Sequence, residues 1–209
     1  MLPFKLFQMM SSARKPPYHQ ILKNVARHIS LTREESEFFC TMLGYKKLRN
    51  RELLQRVGDP CHHSWFVTKG CLRGYHVDGN GFEHVLSFAP VDYWIGDLYS
   101  LISGKPGVLN IEATEASEVF SMSKEDQEEL YRQVPKFERF FRIILEKSLV
   151  HHQQRLLESM SLTAEERYER FCEKYPQLVQ TLAQKQIASY IGVTPEFFSK
   201  MRSRLLRKS

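Results

Sequence analysis

The sequence predicts an α+β fold: a β-rich sandwich or barrel in the middle of the chain, then a long helix, then a compact helical C-terminus. Three observations predict it. Turn residues divide 52–122 into short β-rich runs, no Gly or Pro interrupts Lys136 to Met160, and Gly192-Val193-Thr194-Pro195 makes a corner between two short amphipathic segments.

The totals fit that reading. A chain of 209 residues can bury one large core or two small ones. No apolar run is long enough to span a bilayer, so a soluble, cytoplasmic protein with no membrane partner is expected. The first eighteen residues mix Phe4, Leu6, Phe7, Met9 and Met10 with Lys5 and Gln8, without a convincing cleavage site. They read as an arm (1–18) running through Arg14-Lys15-Pro16-Pro17. Cys40, Cys61, Cys71 and Cys172 form no Cys-x-x-Cys pair, which argues against a zinc site or disulfide framework and for reduced thiols.

Residues 19–48 read as helical: Ile21, Leu22, Val25 and Ile29 recur at helical spacing, and Thr32 with Glu35 forms a capping pair for a second helix. The β-rich middle follows, with turns at Gly58-Asp59-Pro60, Lys69-Gly70, Asp78-Gly79-Asn80-Gly81 and Ser103 to Gly107. Trp65 to Val67, Cys71 to Val77 and Phe82 to Phe88 are the expected strands. Ser123 and Asp126 cap a helix over 124–133, and Pro135 opens the next. Phe141, Leu145, Leu149, His152, Leu156 and Met160 share one face of that helix, which would be about 36 Å long at ~1.5 Å per residue. A rod of that length on a small domain is expected to pair with its twin. Thr163 to Glu166 is a capping box for a further helix, stopped near Tyr175-Pro176.

The C-terminal segment has the grammar of a helix-turn-helix. Ile187, Ala188 and Ile191 form the inner face of a first helix, and Gly192 supplies the left-handed residue at the turn. Val193 plugs the corner, Thr194 caps and Pro195 starts the second helix. Phe198, Met201 and Leu205 face inward; Glu196, Ser199, Lys200 and Ser203 face outward, where they suit a major groove. Arg202, Arg204, Arg207 and Lys208 suit phosphates. Of the net charge of +6, a charge of +5 lies from Leu182 onward, where six basic residues face only Glu196. The rival reading is a ligand-binding or protein-interaction module whose basic helical tail does not bind DNA. No nucleophile–base arrangement, phosphate loop or metal-ligand spacing points to an enzyme.

At Gln186 to Glu196 the chain resembles the Crp/Fnr (cyclic-AMP receptor protein-like) family of bacterial transcription regulators. Val57-Gly58-Asp59, Val67 to Gly70 and Ile95-Gly96-Asp97-Leu98 resemble landmarks of its β-roll, and Pro135 to Met160 resembles its dimerisation helix. The resemblance runs from about Ile21 to Lys208. It implies a jelly-roll, cyclic-nucleotide-binding-like sensor domain (19–134), a dimerisation helix (135–160) carrying Phe141, Leu145, Leu149, His152 and Leu156, and a (winged) helix-turn-helix domain (161–209). The chain stops soon after the second helix, so any wing strand must precede Ala183 or be very short.

The resemblance further implies a homodimer on double-stranded operator DNA, with RNA polymerase as a further candidate partner. DNA contact would come from Thr194, Pro195, Glu196, Ser199, Lys200, Arg202, Ser203 and Arg204; Pro195 stands where the family often has Arg. The effector pocket would use Gly96, Asp97, Leu98, Gly107, Val108 and Leu109. Cyclic-nucleotide-binding members carry Gly-Glu-Leu and then an Arg-Ser/Thr-Ala triplet that grips the cyclic phosphate. Here Asp97 replaces Glu, and Gly107, Val108 and Leu109 occupy the triplet, so cyclic AMP is not expected to bind tightly. No cofactor is predicted, and an unidentified small-molecule effector stays open. The family's iron–sulfur members carry a Cys cluster in an N-terminal arm, which is missing before Tyr18. His62-His63 or His151-His152 could be nominated for haem ligation, but solvated or interfacial roles are expected for them.

Overall fold

The computed structural model describes residues 16–207; most of the N-terminal arm, together with Lys208, lies outside the described residues. Helices α1 (Tyr18–Ala26) and α2 (Arg33–Thr41) come first, the second with the predicted Thr32–Glu35 capping box. Eight strands follow: β1 (Gly44–Leu48), β2 (Leu53–Gln55), β3 (His63–Lys69), β4 (Cys71–Val77), β5 (Glu83–Pro90), β6 (Trp94–Ile95), β7 (Asn110–Ala113) and β8 (Ser117–Ser123), with α3 (Leu98–Ser103) between β6 and β7.

They form two antiparallel sheets, in the orders β1-β8-β3-β6 and β2-β7-β4-β5. Strands that alternate between two facing sheets in this way make a jelly roll. Leu48, Trp65, Val67, Leu72, Ile111 and Val119 fill the space between the sheets. A second apolar cluster joins α1 and α2 to the base of the long helix through Ile21, Val25, Phe39, Phe137 and Phe140.

Two local expectations are corrected. Residues 44–48 are strand, not helix: β1 pairs along β8 from Gly44↔Ser121 to Leu48↔Ser117. Pairing with a strand 69 to 77 residues away overrides the local helical signal. Ser103, expected to open the turn 103–107, instead ends helix α3 (98–103), which is capped by Asp97 and closed by Gly104 at φ +69°.

After β8 the described chain is entirely helical and carries no wing strand. Helix α4 (Lys124–Gln133) is capped by Ser123, and α5 (Lys136–Ser161) runs for 26 residues. Then come α6 (Ala164–Lys174) with the Thr163 capping box, the short α7 (Leu178–Thr181), α8 (Gln184–Ile191) and α9 (Pro195–Leu206). No helix among the described residues is long and apolar enough to cross a membrane.

Candidate nucleic-acid interface and cassette

The α8–turn–α9 unit is built by local rules. Gly192 ends α8 at φ +75° and ψ +41°, a conformation that any Cβ would strain. The Thr194 hydroxyl accepts from the Phe197 amide, and Pro195 occupies the first turn of α9, where no amide donor is needed. Ile187, Ala188, Ile191, Phe198 and Met201 are buried together, with Val193 and Leu205 packed against them. This leaves Thr194, Pro195, Glu196, Ser199, Lys200, Ser203 and Arg204 exposed on α9 or its entry.

Two predicted contacts sit differently from the rest. Arg202 is half-buried within interaction range of Tyr168 and Cys172 on α6, and Arg204 forms an ion pair with Glu165. Sequence reasoning overlooked Phe197. It is half exposed beside Glu196 and Lys200, and is the sole exposed large apolar side chain among the described residues beyond Met160. Helical spacing carried a usable signal, since Phe198 takes the core position and leaves its neighbour outside.

Helix α5 carries the expected apolar stripe only in part. Leu145, Leu149 and Leu156 are exposed (Leu149 at 69%), with Val150, Leu157 and Met160 beside them, and His152 lies on the same exposed stretch. Phe141, assigned to that face, is instead buried at 6% against Trp94, Tyr131, Phe137 and Phe140. The first two turns of α5 bury their apolar side inside the chain, and the unpartnered stripe begins only later.

The segment from Gly96 to Leu109, the cassette of the expected effector pocket, closes on itself. Asp97 is buried at 1%. Its Oδ2 accepts from the amides of Val108 (2.7 Å) and Leu109 (2.9 Å), and its Oδ1 accepts from Ser100 (3.2 Å). The backbone donors that face the cassette interior are thus held by the chain's own carboxylate. Gly107 is buried too, and a Cβ there would meet the Asp59 carbonyl at 2.8 Å. Gly96 is half-buried, while Leu98 and Val108 point out to solvent. His62 and His63 line a separate cavity of about 470 Å3 beside β2, and no group of three or more candidate metal ligands occurs among the described residues.

Residues 45–134 match the family model of the cyclic nucleotide-binding domain. The Anaerobic regulatory protein of Pasteurella multocida (strain Pm70) is 21% identical over 171 residues, 77% of this chain; the match spans 62% of that relative's length. The fold is that of FixK2 from Bradyrhizobium japonicum, with a TM-score of 0.70 at 20% identity over 79% of this chain and 85% of that one. It is likewise that of CLP from Xanthomonas campestris, described as a c-di-GMP responsive global regulator, with a TM-score of 0.69 at 16% identity over 85% and 93% of the two chains. The chain thus carries a cyclic nucleotide-binding domain over 45–134 and has the fold of these Crp/Fnr-like regulators. At these identities the structural likeness shows the fold alone.

Within this chain the helix-turn-helix is docked on the β-roll. Cys71, Tyr75, Val85 and Phe88 of β4 and β5 share one buried cluster with Phe171, Tyr175, Ile187 and Tyr190. The Ser189 hydroxyl accepts from the Val85 amide at 2.9 Å and donates to the Glu83 carbonyl at 2.5 Å. Because β5 is an edge strand, Ser189 occupies backbone groups that no neighbouring strand takes up. Arg73, buried on the same face, pairs with Glu83 (2.6 Å) and Glu112 (2.7 Å). Removing one member of such a buried network would leave an uncompensated charge.

Proposed function

We propose that the protein is a homodimeric, sequence-specific DNA-binding transcription regulator whose cassette does not take cyclic AMP. The observation that carries this reading is the outer face of α9. Glu196, Ser199, Lys200 and Ser203 are exposed together at the end of a chain segment that holds nearly all the net positive charge. Lys200 can donate to guanine O6 and N7, Glu196 can accept from cytosine N4, and Arg207 and Lys208 suit phosphates. Arg202 and Arg204, tied to α6, orient α9 as well as carrying charge toward the backbone.

The exposed Leu145, Leu149 and Leu156 stripe supports pairing with a second copy. Two-fold pairing would set the two α9 helices about 34 Å apart, in successive major grooves. The units are then a sensor over 19–134, a pairing helix over 135–160 and a DNA-reading unit over 161–209. RNA polymerase is the further partner of such a regulator. Its role is recognition, with no reaction catalysed.

A cyclic phosphate needs a guanidinium and free donors in the cassette. Gly107, Val108 and Leu109 offer neither, since Asp97 holds the amides. The alternative, an interaction module with a solvated basic tail, has the docking of α8 on β5 in its favour.

Selection from a random DNA pool by the purified chain, without added ligand, tests the reading. A two-fold symmetric site is expected, bound with a steep salt dependence and lost in the Lys200→Ala, Arg204→Ala double variant. No enrichment, with or without cell metabolites, would leave the interaction module as the better account. Titration calorimetry with cyclic AMP is expected to show no micromolar binding.

A further inference from the structure

A cavity of about 270 Å3 opens where α5 passes the turn of the helix-turn-helix, lined by Arg155, Glu158, Ser159, Arg167, Tyr190 and Gly192 among others. Two guanidinium groups reach it from different helices. Arg155 donates to the carbonyls of Val85 (2.8 Å), Tyr190 (2.6 Å) and Leu86, and lies 4.0 Å above the Tyr190 ring. Arg167 donates to the carbonyls of Ile191 (2.8 Å) and Leu162 (2.6 Å). All five acceptors are neutral, and no carboxylate among the described residues forms an ion pair with either arginine.

The local charge is therefore unbalanced. Glu158 is the only acid lining the cavity. Arg155 is half-buried, and burial pushes its pKa down, so its surroundings disfavour the charge it carries. Lys174, on α6, adds a third cation within Coulombic range of Arg155. A guanidinium has five donors in a planar fork, and the Nη2 of Arg167 makes no hydrogen bond among the described residues. Buried charge of this kind is stable when an opposite charge meets it.

We propose that this cavity binds a small oxyanion, of the size and charge of inorganic phosphate, between Arg155 and Arg167. Its volume lies just below the usual range for organic ligands, which suits a single oxyanion. Arginine forks match the oxygen spacing of phosphate. The site contrasts with the cassette, where the Asp97 carboxylate already takes up the backbone donors. Its walls come from α5, from the start of α6 and from the turn that aims α9, so an occupied site fixes how α9 is held against α5. Binding here needs neither DNA nor a second copy of the chain.

Thermal unfolding of the full chain, in sodium phosphate against sodium chloride at matched ionic strength, tests this. A saturable rise in Tm specific to phosphate is expected. Ser159→Glu hangs a carboxylate at the cavity from an exposed helical position. That variant is expected to show a raised Tm without phosphate and to lose the phosphate response. Absence of a phosphate-specific rise, or a rise that Ser159→Glu leaves intact, overturns the proposal.

Discussion

The Ser189 hydroxyl of α8 and the Val85 amide of β5 are joined at 2.9 Å across 104 residues of sequence. Through this contact the first helix of the helix-turn-helix completes the open edge of a sheet. Ser189→Ala leaves one edge amide and one edge carbonyl without a partner, at a cost of about 1–2 kcal/mol. Hydrogen exchange at the Val85 amide is expected to speed up by about tenfold while the amides of β8 keep their protection. Equal protection in variant and parent would mean that the contact is not held in solution.

Asp97 gives the cassette its closed form. Asp97→Ala strands the amides of Ser100, Val108 and Leu109, of which Ser100 is buried. The loss is about 3 kcal/mol, since bonds to a buried carboxylate are strong and the donors stay behind. A urea midpoint unchanged from the parent would contradict this account of the cassette.

His151 makes the helical junction sensitive to acid. Burial, then the nearby charges of Lys174, His152 and Arg155, push its pKa down to about 4 from the ordinary 6.5. The unfolded chain takes up this proton as pH falls through 6.5, and the folded chain resists until about 4. Stability is therefore complete above 6.5 and declines as pH drops through that window. His152 is shifted in the same direction, so His151→Gln should lessen the fall in unfolding midpoint between pH 7 and pH 5 without removing it. An identical fall in the variant rejects this origin.

Leu149, 69% exposed in the middle of α5, is the most informative position on the exposed apolar stripe for the proposed pairing. Leu149→Glu sets like charges against each other in a two-fold pair. Sedimentation should report a dimer for the parent and a monomer for the variant, with unchanged helical circular dichroism. A variant that still sediments as a dimer would place the interface elsewhere.

Phe197 is suited to touch a thymine methyl group, the apolar feature of the major groove. Phe197→Ala is expected to relax the preference at one position per half-site, with binding elsewhere in the site intact. Replacing that thymine by deoxyuridine should weaken the parent by about 1 kcal/mol and leave the variant unaffected. Equal sensitivity of both proteins to the missing methyl would remove Phe197 from base reading.

Much of the helical architecture was legible because its signals are short-range. The capping boxes at Thr32 and Thr163, the Gly192 turn and the inward placement of Phe198 and Met201 depend on residues within one or two turns of each other. Strand β1, helix α3, the burial of Phe141 and the exposed Phe197 were not read correctly or at all. For β1 and Phe141 the deciding partner lies elsewhere in the chain, whereas the caps of α3 and the helical spacing that leaves Phe197 outside are local signals.

The sequence by itself determined where the helices start and stop, which face of α9 is polar, and that the cassette lacks an arginine. Only the tertiary structure decided that Asp97 takes up the cassette amides, that Ser189 closes the β5 edge, and that Arg155 and Arg167 meet at one cavity. Helix periodicity and capping are set by neighbours along the chain. A hydrogen bond between strand and helix, or the meeting of two cations, depends on how distant segments pack, and no local pattern encodes that.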